Sequence, residues 1–371
     1  MKIVKITPFL VDRFLFVRVY TDSGIVGTGE AGLWAHHPTV YGAIQELGAY
    51  YVGKDPARIE HHAQVVMRDT HFWGAVLSAA ISAIDVALWD ILGKSLNQPI
   101  YQLLGGKCRD KIRVFANVWG RTLDQLGESA ARQVAKGYTT LRATPFFPDF
   151  EKKTASQVVG DAVAIVKAIR DAVGYDIDLG LEIHRNLEPE ATITLARELE
   201  PYRILYYEDP LRPESIPALE YVARHINLPI ATGERLHNLY QFKELIDSKT
   251  CSLIRCDLSL AGGYTQAKKV AGMAEAAFIG YFPHLMGSHI NTAAFMQLDA
   301  AIPNYAFQEN NEGGDAFNDL FAEPLQRDGG YMIVPDRPGI GLELDESKFA
   351  KYPYKDKPTT GFFHEDGSVA H

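Results

Sequence analysis

Cysteine is scarce in this chain, and the little there is forms no pattern. Cys108, Cys251 and Cys256 are the three cysteines among 371 residues. They make no CxxC pair and no even-numbered framework. That excludes a disulfide-stapled secreted scaffold and suits a reducing cytosol. Basic excess is lacking too: the formal charge is −9, which argues against nucleic acid and anionic membrane surfaces as partners. No uninterrupted apolar run reaches the length of a membrane span. The most apolar stretch, 74–92, carries Ser78, Ser82, Asp85 and Asp90 and reads as a buried helix. The opening residues Met1-Lys2-Ile3-Val4-Lys5 lead into strand-like sequence without a secretory h-region or cleavage site, so a cytoplasmic protein is expected. Low-complexity segments and short tandem repeats are missing. What remains is 47% hydrophobic and 22% charged. That is the balance of a globular protein, and the length suits one large domain or two ordinary ones.

The pattern changes character twice along the chain. Residues 2–20 alternate as strands do. Asp22-Ser23-Gly24 reads as a turn and 25–29 as a returning strand, which predicts a β-hairpin. Residues from about 39 to 96 have helical character. Leu77, Ala80, Ile81, Ile84, Leu88 and Ile91 recur at three-to-four spacing, the mark of a core-facing helix. These elements predict a small α+β domain over 1–110. From Lys111 strands and helices alternate. Candidate strands are 112–117, 139–144, 177–182, 204–208, 229–234, 251–257, 279–283 and 305–309, with helices such as 155–173 and 190–199 between them. Such a series implies a parallel barrel, a (β/α)7–8 modified TIM barrel, over 111–325. The tail, 326–371, reads as a strand at 329–335 followed by a Pro/Gly-rich turn. It is expected to return to the N-terminal region and complete an α+β capping domain.

Acidic residues close three successive candidate strands at even spacing: Glu182, Glu208 and Glu234, at steps of 26 residues. One β-strand with its helix takes about that many residues, since eight such units need ~250. Three acids at one phase of three successive units meet at one end of the barrel. Carboxylates crowded there repel one another unless a cation sits among them. Oxygen-only ligation suits a hard divalent ion, Mg²⁺ first. The phase continues with Asp257, His284 and Glu309. A lone acid after a strand is commonly a helix cap; six ionisable groups in phase at strand ends point to catalysis. His184 stands two residues after Glu182, and the two-residue period of a strand places both on the inner face. Asp257 and His284 fall on neighbouring strands, where a carboxylate can fix the imidazole tautomer and leave the other nitrogen as a base. Two histidines around a metal-bound acid suit proton transfer beside a carboxylate, through an enediolate that the metal stabilises.

These residues, taken with Ala83-Ile84-Asp85-Val86-Ala87-Leu88-Trp89-Asp90, Leu104-Gly105-Gly106, Tyr207-Glu208-Asp209-Pro210, Ala261-Gly262-Gly263 and Pro335-Asp336-Arg337-Pro338-Gly339-Ile340-Gly341, identify the chain as resembling the enolase superfamily, mandelate racemase subgroup. That superfamily uses a Lys or His base with Mg²⁺. The resemblance covers nearly the whole chain. Within the subgroup the acid-sugar dehydratases are most similar, galactonate dehydratases in particular. The resemblance implies a lyase acting on a galactonate-like aldonate. His284, oriented by Asp257, would take the C2 proton, and His184 would protonate the departing C3 hydroxyl. The product would be a 2-keto-3-deoxy sugar acid. By the same resemblance Glu309 would hydrogen-bond the substrate's carboxylate region, and a homo-oligomer is expected.

Three positions depart from the subgroup's usual pattern. The first ligand is Glu182 where Asp is usual. Arg142-Ala143-Thr144 replaces the Lys-x-Lys of the racemase branch. Arg142 stays charged and is a poor base, so it is expected to bind carboxylate or stabilise the enediolate; an Arg on this strand also occurs in mannonate dehydratases. Arg255 stands where Gln is frequent, and an ion pair with a strand-end acid is expected. Specificity is expected in loops over the barrel mouth: Trp34, His36 and His37, then His71 and Trp73, with Thr144 at the second strand's end. Rival readings are a racemase or epimerase using both histidines without expelling water, a mannonate-type dehydratase, and a non-catalytic sugar-acid binder.

Overall fold

The N-terminal alternating run folds as two strands where the sequence pattern suggested one. β1 (Ile3–Val11) and β2 (Phe14–Thr21) meet at a tight turn over Asp12-Arg13, with Asp12 at φ +49°. Asp tolerates this left-handed conformation, and no Gly, Pro or Asn flags the turn. β3 (Val26–Glu30) completes an antiparallel sheet in the order β1-β2-β3. The computed structural model describes residues 1–309 and 312–370; residues 310, 311 and 371, which fall within the expected barrel and tail, lie outside it.

Against this sheet pack α1 (His37–Tyr51) and α3 (Ala75–Ser95); α2 (Ile59–Asp69) packs on α3, and the short α4 (Ile100–Leu103) follows. Gly27 and Gly29 of β3 let the sheet press onto α3, because a Cβ at either would collide with the carbonyl oxygens of Ala87 and Ala83. α3 is long and apolar enough to cross a membrane, but most of it is buried inside the protein. Its polar residues explain how it is buried on all sides. The Ser78 hydroxyl donates to the His237 carbonyl at 2.6 Å, and the Ser82 oxygen accepts from Gly262 N–H at 2.7 Å. Asp85 accepts from the backbone and hydroxyl of Thr265. Asp90 accepts from Thr28 N–H and Ile340 N–H and pairs with Lys94 at 2.8 Å. Buried polar groups are tolerated when so partnered. The polar interruptions of the apolar run are thus the ties between cap, barrel and tail.

The second layer is the barrel. Its strands are β5 (Ala116–Asn117), β6 (Thr140–Ala143), β7 (Asp178–Glu182), β8 (Tyr206–Glu208), β9 (Ile230–Thr232), β10 (Leu253–Ile254) and β11 (Gly280–Tyr281), parallel and in sequential order. The crossover helices are α5 (Leu123–Ala135), α6 (Ala155–Val173), α7 (Pro189–Leu199), α8 (Ile216–Ala223), α9 (Leu239–Ser248) and α10 (Gly263–Ala276); α11 (His289–Ala301) follows β11. The expected eighth strand, 305–309, is present as two single bridges, Tyr281 to Tyr305 and Val114 to Gln308. Ala306 N–H donates to the Tyr281 carbonyl and Gln308 N–H to the Arg113 carbonyl, both at 2.9 Å, closing the ring. The architecture is therefore the (β/α)7–8 modified TIM barrel with an α+β cap.

The expected first strand, 112–117, divides. β4 (Lys111–Arg113) turns away to pair with the tail strand β13 (Tyr331–Ile333), itself paired with β12 (Arg327–Asp328). Beyond it the tail reaches the cap. Ile100 N–H donates to the Gly339 carbonyl at 3.0 Å, Asp12 N–H to the Tyr352 carbonyl at 2.9 Å, and the Phe9 and Phe349 rings meet edge-on at 5.1 Å.

An aromatic plug fills the barrel interior: Phe115, Tyr206, Phe282 and Phe307 around Ala231. Gly180 is required there, because a Cβ would collide with the Tyr206 ring. With period two, the next inward positions toward the strand ends are Asn117, Arg142, Glu182, Glu208, His284 and Glu309. The plug is the floor on which the charged groups stand.

Candidate active site

Two guanidinium groups lie directly on that floor. Arg142 sits over the Phe115 ring at 4.6 Å and Arg255 over the Phe282 ring at 4.2 Å. Such contacts favour a cation in a dry site. From there Arg142 reaches Glu182 at 3.3 Å, Glu208 at 3.6 Å and Glu309 at 2.9 Å, and donates to Asn117 at 3.1 Å. Arg255 makes the expected ion pair with three strand-end acids, Glu208 at 2.8 Å, Glu309 at 2.9 Å and Glu234 at 3.8 Å.

Glu182, Glu208 and Glu234 converge, with one carboxylate oxygen from each lying within 4.8 Å of the others. Glu182 and Glu208 are register partners on β7 and β8. Glu234 lies just beyond β9, where Gly233 at φ +125° redirects the chain. Glu208 is fully buried, and among the described residues neither of its oxygens has an aligned hydrogen-bond donor. Burial, reinforced by the nearby Glu182 charge, pushes its pKa well above the carboxylate range despite Arg255 and Arg142. A buried carboxylate with both oxygens unsatisfied, beside two others, fits an oxygen-seeking divalent cation. The wider charge balance agrees. Glu182, Glu208, Asp209, Glu234, Asp257 and Glu309 face only Arg142, Arg185 and Arg255 as permanent cations in these contacts.

The two histidines flank the triad from its two ends. His284 Nε2 is 3.9 Å from Glu234, and His184 Nε2 is 3.9 Å from Glu182. The His284 Nδ1 pairs with Asp257 Oδ2 at 2.8 Å, and Asp257 Oδ1 accepts from the backbone and hydroxyl of Ser259 at 2.8 and 2.6 Å. Burial alone would lower the His284 pKa. The charges of Glu234 and Asp257, with the Asp257 hydrogen bond, overcome it and raise the value to about 9. For His184, burial and then the Arg185 charge lower the pKa. The strand period is not what brings His184 inward. β7 ends at Glu182, and His184 and Arg185 sit in the left-handed region at φ +54° and +65°. The turn delivers the imidazole, which stays about half exposed at 46%.

Glu309 accepts from Leu285 N–H at 3.0 Å in addition to its two arginines. Burial opposes its ionisation, but Arg142 and Arg255 hold its pKa down at about 2. Its oxygens are therefore already committed.

Three of the expected specificity residues line two cavities. Trp34 and His37 line a cavity of about 300 Å³ with Arg13, Phe14, Met286 and Lys357, and the Lys357 ammonium lies 3.4 Å above the Trp34 ring. His37 is buried, with its ring bonded to the carbonyls of Ala31 and Arg13; burial lowers its pKa to about 4. Trp73 lines a separate cavity of about 540 Å³ with Met67, Arg68, Tyr240 and Gln266. No strand-end acid lines either cavity. His36, His71 and Thr144 are exposed.

Sequence reasoning missed Arg185 and Asp209. Arg185 NH1 pairs with Asp209 at 2.6 Å and, more closely still, with Glu234. Burial opposes Glu234 ionisation, but His284 and Arg185 more than offset it and hold its pKa well below the usual range. Both residues are sequence neighbours of predicted ones, Arg185 of His184 and Asp209 of Glu208, and adjacency was the available signal.

Residues 4–105 match the family description "Mandelate racemase / muconate lactonizing enzyme, N-terminal domain", and residues 125–348 match "Enolase C-terminal domain-like". The chain is 37% identical over 364 residues to a D-galactonate dehydratase of Klebsiella pneumoniae, covering 94% of this chain and 93% of that protein. It is 36% identical to a D-galactonate dehydratase of Cronobacter sakazakii, covering all of both. Among solved structures, an enolase described as a putative galactarate dehydratase from Agrobacterium radiobacter, bound to Na and L-malate, superposes with a TM-score of 0.93. Its identity is 28%, over 100% of this chain and 99% of that one.

Proposed function

This chain belongs to the mandelate racemase / muconate lactonizing enzyme family of the enolase superfamily, and on that premise we propose that it is a hydro-lyase that dehydrates a sugar acid of the galactonate type. The observation that carries this reading is the pair of imidazoles flanking a carboxylate triad, His184 beside Glu182 and His284 beside Glu234. Dehydration next to a carboxylate needs two proton transfers, one from C2 and one to the leaving hydroxyl at C3.

Glu182, Glu208 and Glu234 would hold Mg²⁺. A cation held there would supply Lewis-acid stabilisation of negative charge developing on the substrate carboxylate. The remaining steps belong to side chains. His284 Nε2, with Nδ1 engaged by Asp257, takes the C2 proton. His184 gives a proton to the C3 hydroxyl, the C3–O bond breaks and water leaves. The resulting enol tautomerises to the 2-keto-3-deoxy acid. Arg142 supplies a fixed positive charge at the enediolate end, stacked on Phe115 and unable to act as the base. Glu309, committed to Arg142 and Arg255, orients those cations, and direct substrate contact through it is secondary in this reading. Trp34, His36, His37, His71, Trp73 and Thr144 remain candidates for specificity only if the substrate extends beyond the triad.

The test is turnover across a stereochemically complete sugar-acid set with Mg²⁺, assayed for 2-keto-3-deoxy product, with His284→Asn as the control. Product from one acid, lost in the control, supports the reading. C2 deuterium exchange in D₂O without water loss would instead assign an epimerase, which the same imidazole pair can serve.

A further inference from the structure

Asp257 and His284 each lie three residues past a barrel strand, β10 and β11, and the hydrogen bonds that fix them lead out of the barrel. Asp257 Oδ2 holds His284 Nδ1. Its other oxygen is held by Ser259, through N–H at 2.8 Å and hydroxyl at 2.6 Å. Ser259 is 1% exposed. Its carbonyl accepts from Gly32 N–H at 2.9 Å, two residues past the end of β3 in the capping domain. Gly32 is required by that contact, because a Cβ there would stand 2.7 Å from the Ser259 hydroxyl oxygen and 2.9 Å from its carbonyl oxygen.

A second tie reaches the other half of the pair. The loop 285–288 runs from His284 to α11. At its start Leu285 N–H is held by Glu309. At its end Ser288 is held by Glu30, the last residue of β3, which is 1% exposed. Glu30 accepts from Ser288 N–H at 2.8 Å, from the Ser288 hydroxyl at 2.7 Å and from Asn291 N–H at 3.2 Å. An anion at the start of α11 is electrostatically favoured. The Glu30 carboxylate thus serves the end of the loop that carries His284 and the first turn of α11.

We propose that Glu30, Gly32 and Ser259 are positioning residues for proton transfer: the end of β3, in the capping domain, sets the orientation of Asp257 and the placement of the His284 ring. This rests on the reading that His284 moves the C2 proton. The physical consequence is that the barrel alone does not complete the base. A carboxylate held by two donors on one oxygen cannot rotate, so its other oxygen presents a fixed acceptor that selects one imidazole tautomer. Freed of those donors, Asp257 is a stronger but mobile partner. The imidazolium is then better stabilised and the free nitrogen less well aimed.

The experiment compares Ser259→Ala, Ser259→Thr and Glu30→Gln with the parent in the Mg²⁺-loaded full chain. The first readout needs no substrate: the ¹⁵N shifts and titration midpoint of the His284 ring, assigned with His284→Asn. Ser259→Ala should move the midpoint upward and broaden the ring signals, and Ser259→Thr should restore both. Mg²⁺ affinity should stay within about twofold of the parent. The second readout is turnover. Ser259→Ala and Glu30→Gln should lower kcat at least tenfold, within the ~10²-fold that a misplaced group costs, with little change in KM. The acidic limb of the Ser259→Ala profile should move to higher pH. An unmoved His284 titration in Ser259→Ala overturns the proposal. So does a loss confined to thermal stability, or one that Ser259→Thr does not restore. If the parent turns over no sugar acid, the functional reading fails, while the ring titration still decides the positioning.

Discussion

Glu208 and Arg255 face one another at 2.8 Å with both side chains fully shut off from solvent, and neither makes an aligned hydrogen bond through that contact. A buried ion pair offsets its desolvation only when geometry and additional hydrogen bonds are good. This pair has the proximity without the alignment. The arrangement of Glu208 beside Glu182 and Glu234 is one that a divalent cation would fit.

Glu208→Gln tests this directly. In thermal melts the parent should gain stability with Mg²⁺, by about 3 kcal/mol at a hundredfold excess over Kd. The variant should show no gain. Its metal-free melting temperature should equal or exceed the parent's, because burial already holds the Glu208 carboxyl toward its neutral form, which the amide resembles in shape and charge. A clearly lower metal-free value would mean that the carboxylate already stabilises the empty fold.

The two histidines should separate by isotope exchange. His284→Asn should lose both C2 deuterium exchange and product formation. His184→Asn should keep the exchange and lose product by ~10²- to 10⁴-fold, the usual contribution of a general acid. Loss of exchange in His184→Asn alone would reverse the assignment.

The His284 ring should titrate near 9 in the metal-free protein, and Mg²⁺ should lower that value. Glu234 is its largest favourable charge, and a cation on Glu234 cancels much of that attraction. The base works in its neutral form, so activity should rise with pH through the lowered value. NMR titration with and without Mg²⁺ reads both midpoints. An upward shift on adding metal would place the ion elsewhere.

Arg142→Lys should not rescue Arg142→Ala. Arg142 serves Glu309, Glu182 and Asn117 from one planar group stacked on Phe115. An ammonium supplies the charge without that fork. Both variants should lose most of kcat, with Mg²⁺ affinity measured separately. Near-parental kcat in Arg142→Lys would reduce the role to charge alone.

Two buried acids should drive stability in opposite directions with pH. Glu309 titrates at about 2 in the fold against an ordinary 4.5. Its contribution is fully present above about 4.5 and is lost as pH falls toward 2. Asp85 is raised by burial from 3.8 to about 7. Its cost is absent below 3.8, grows as pH rises and is complete above about 7. Asp85→Asn should therefore gain on the parent between pH 4 and pH 8, by up to about 4 kcal/mol. Denaturant melts at those two values check it, and an equal difference at both would place the Asp85 titration outside this window.

The sequence by itself determined the layers and which ionisable side chains close the strands. A strand repeats every two residues and a βα unit recurs at nearly constant length, so the spacing of Glu182, Glu208, Glu234, Asp257, His284 and Glu309 places them at one end of the barrel. Periodicity is local and survives translation into sequence. Tertiary structure alone decided who partners whom across that ring. Arg142 and Arg255 come to the acids from different strands, Arg185 arrives through a left-handed turn, and the turn at Asp12-Arg13 carries no glycine or proline to mark it. Glu30 and Ser288 are separated by 258 residues and still bond. Such contacts depend on where the cap docks on the barrel, and that is set by packing over the whole surface of α3 and β3. No short window of sequence contains it.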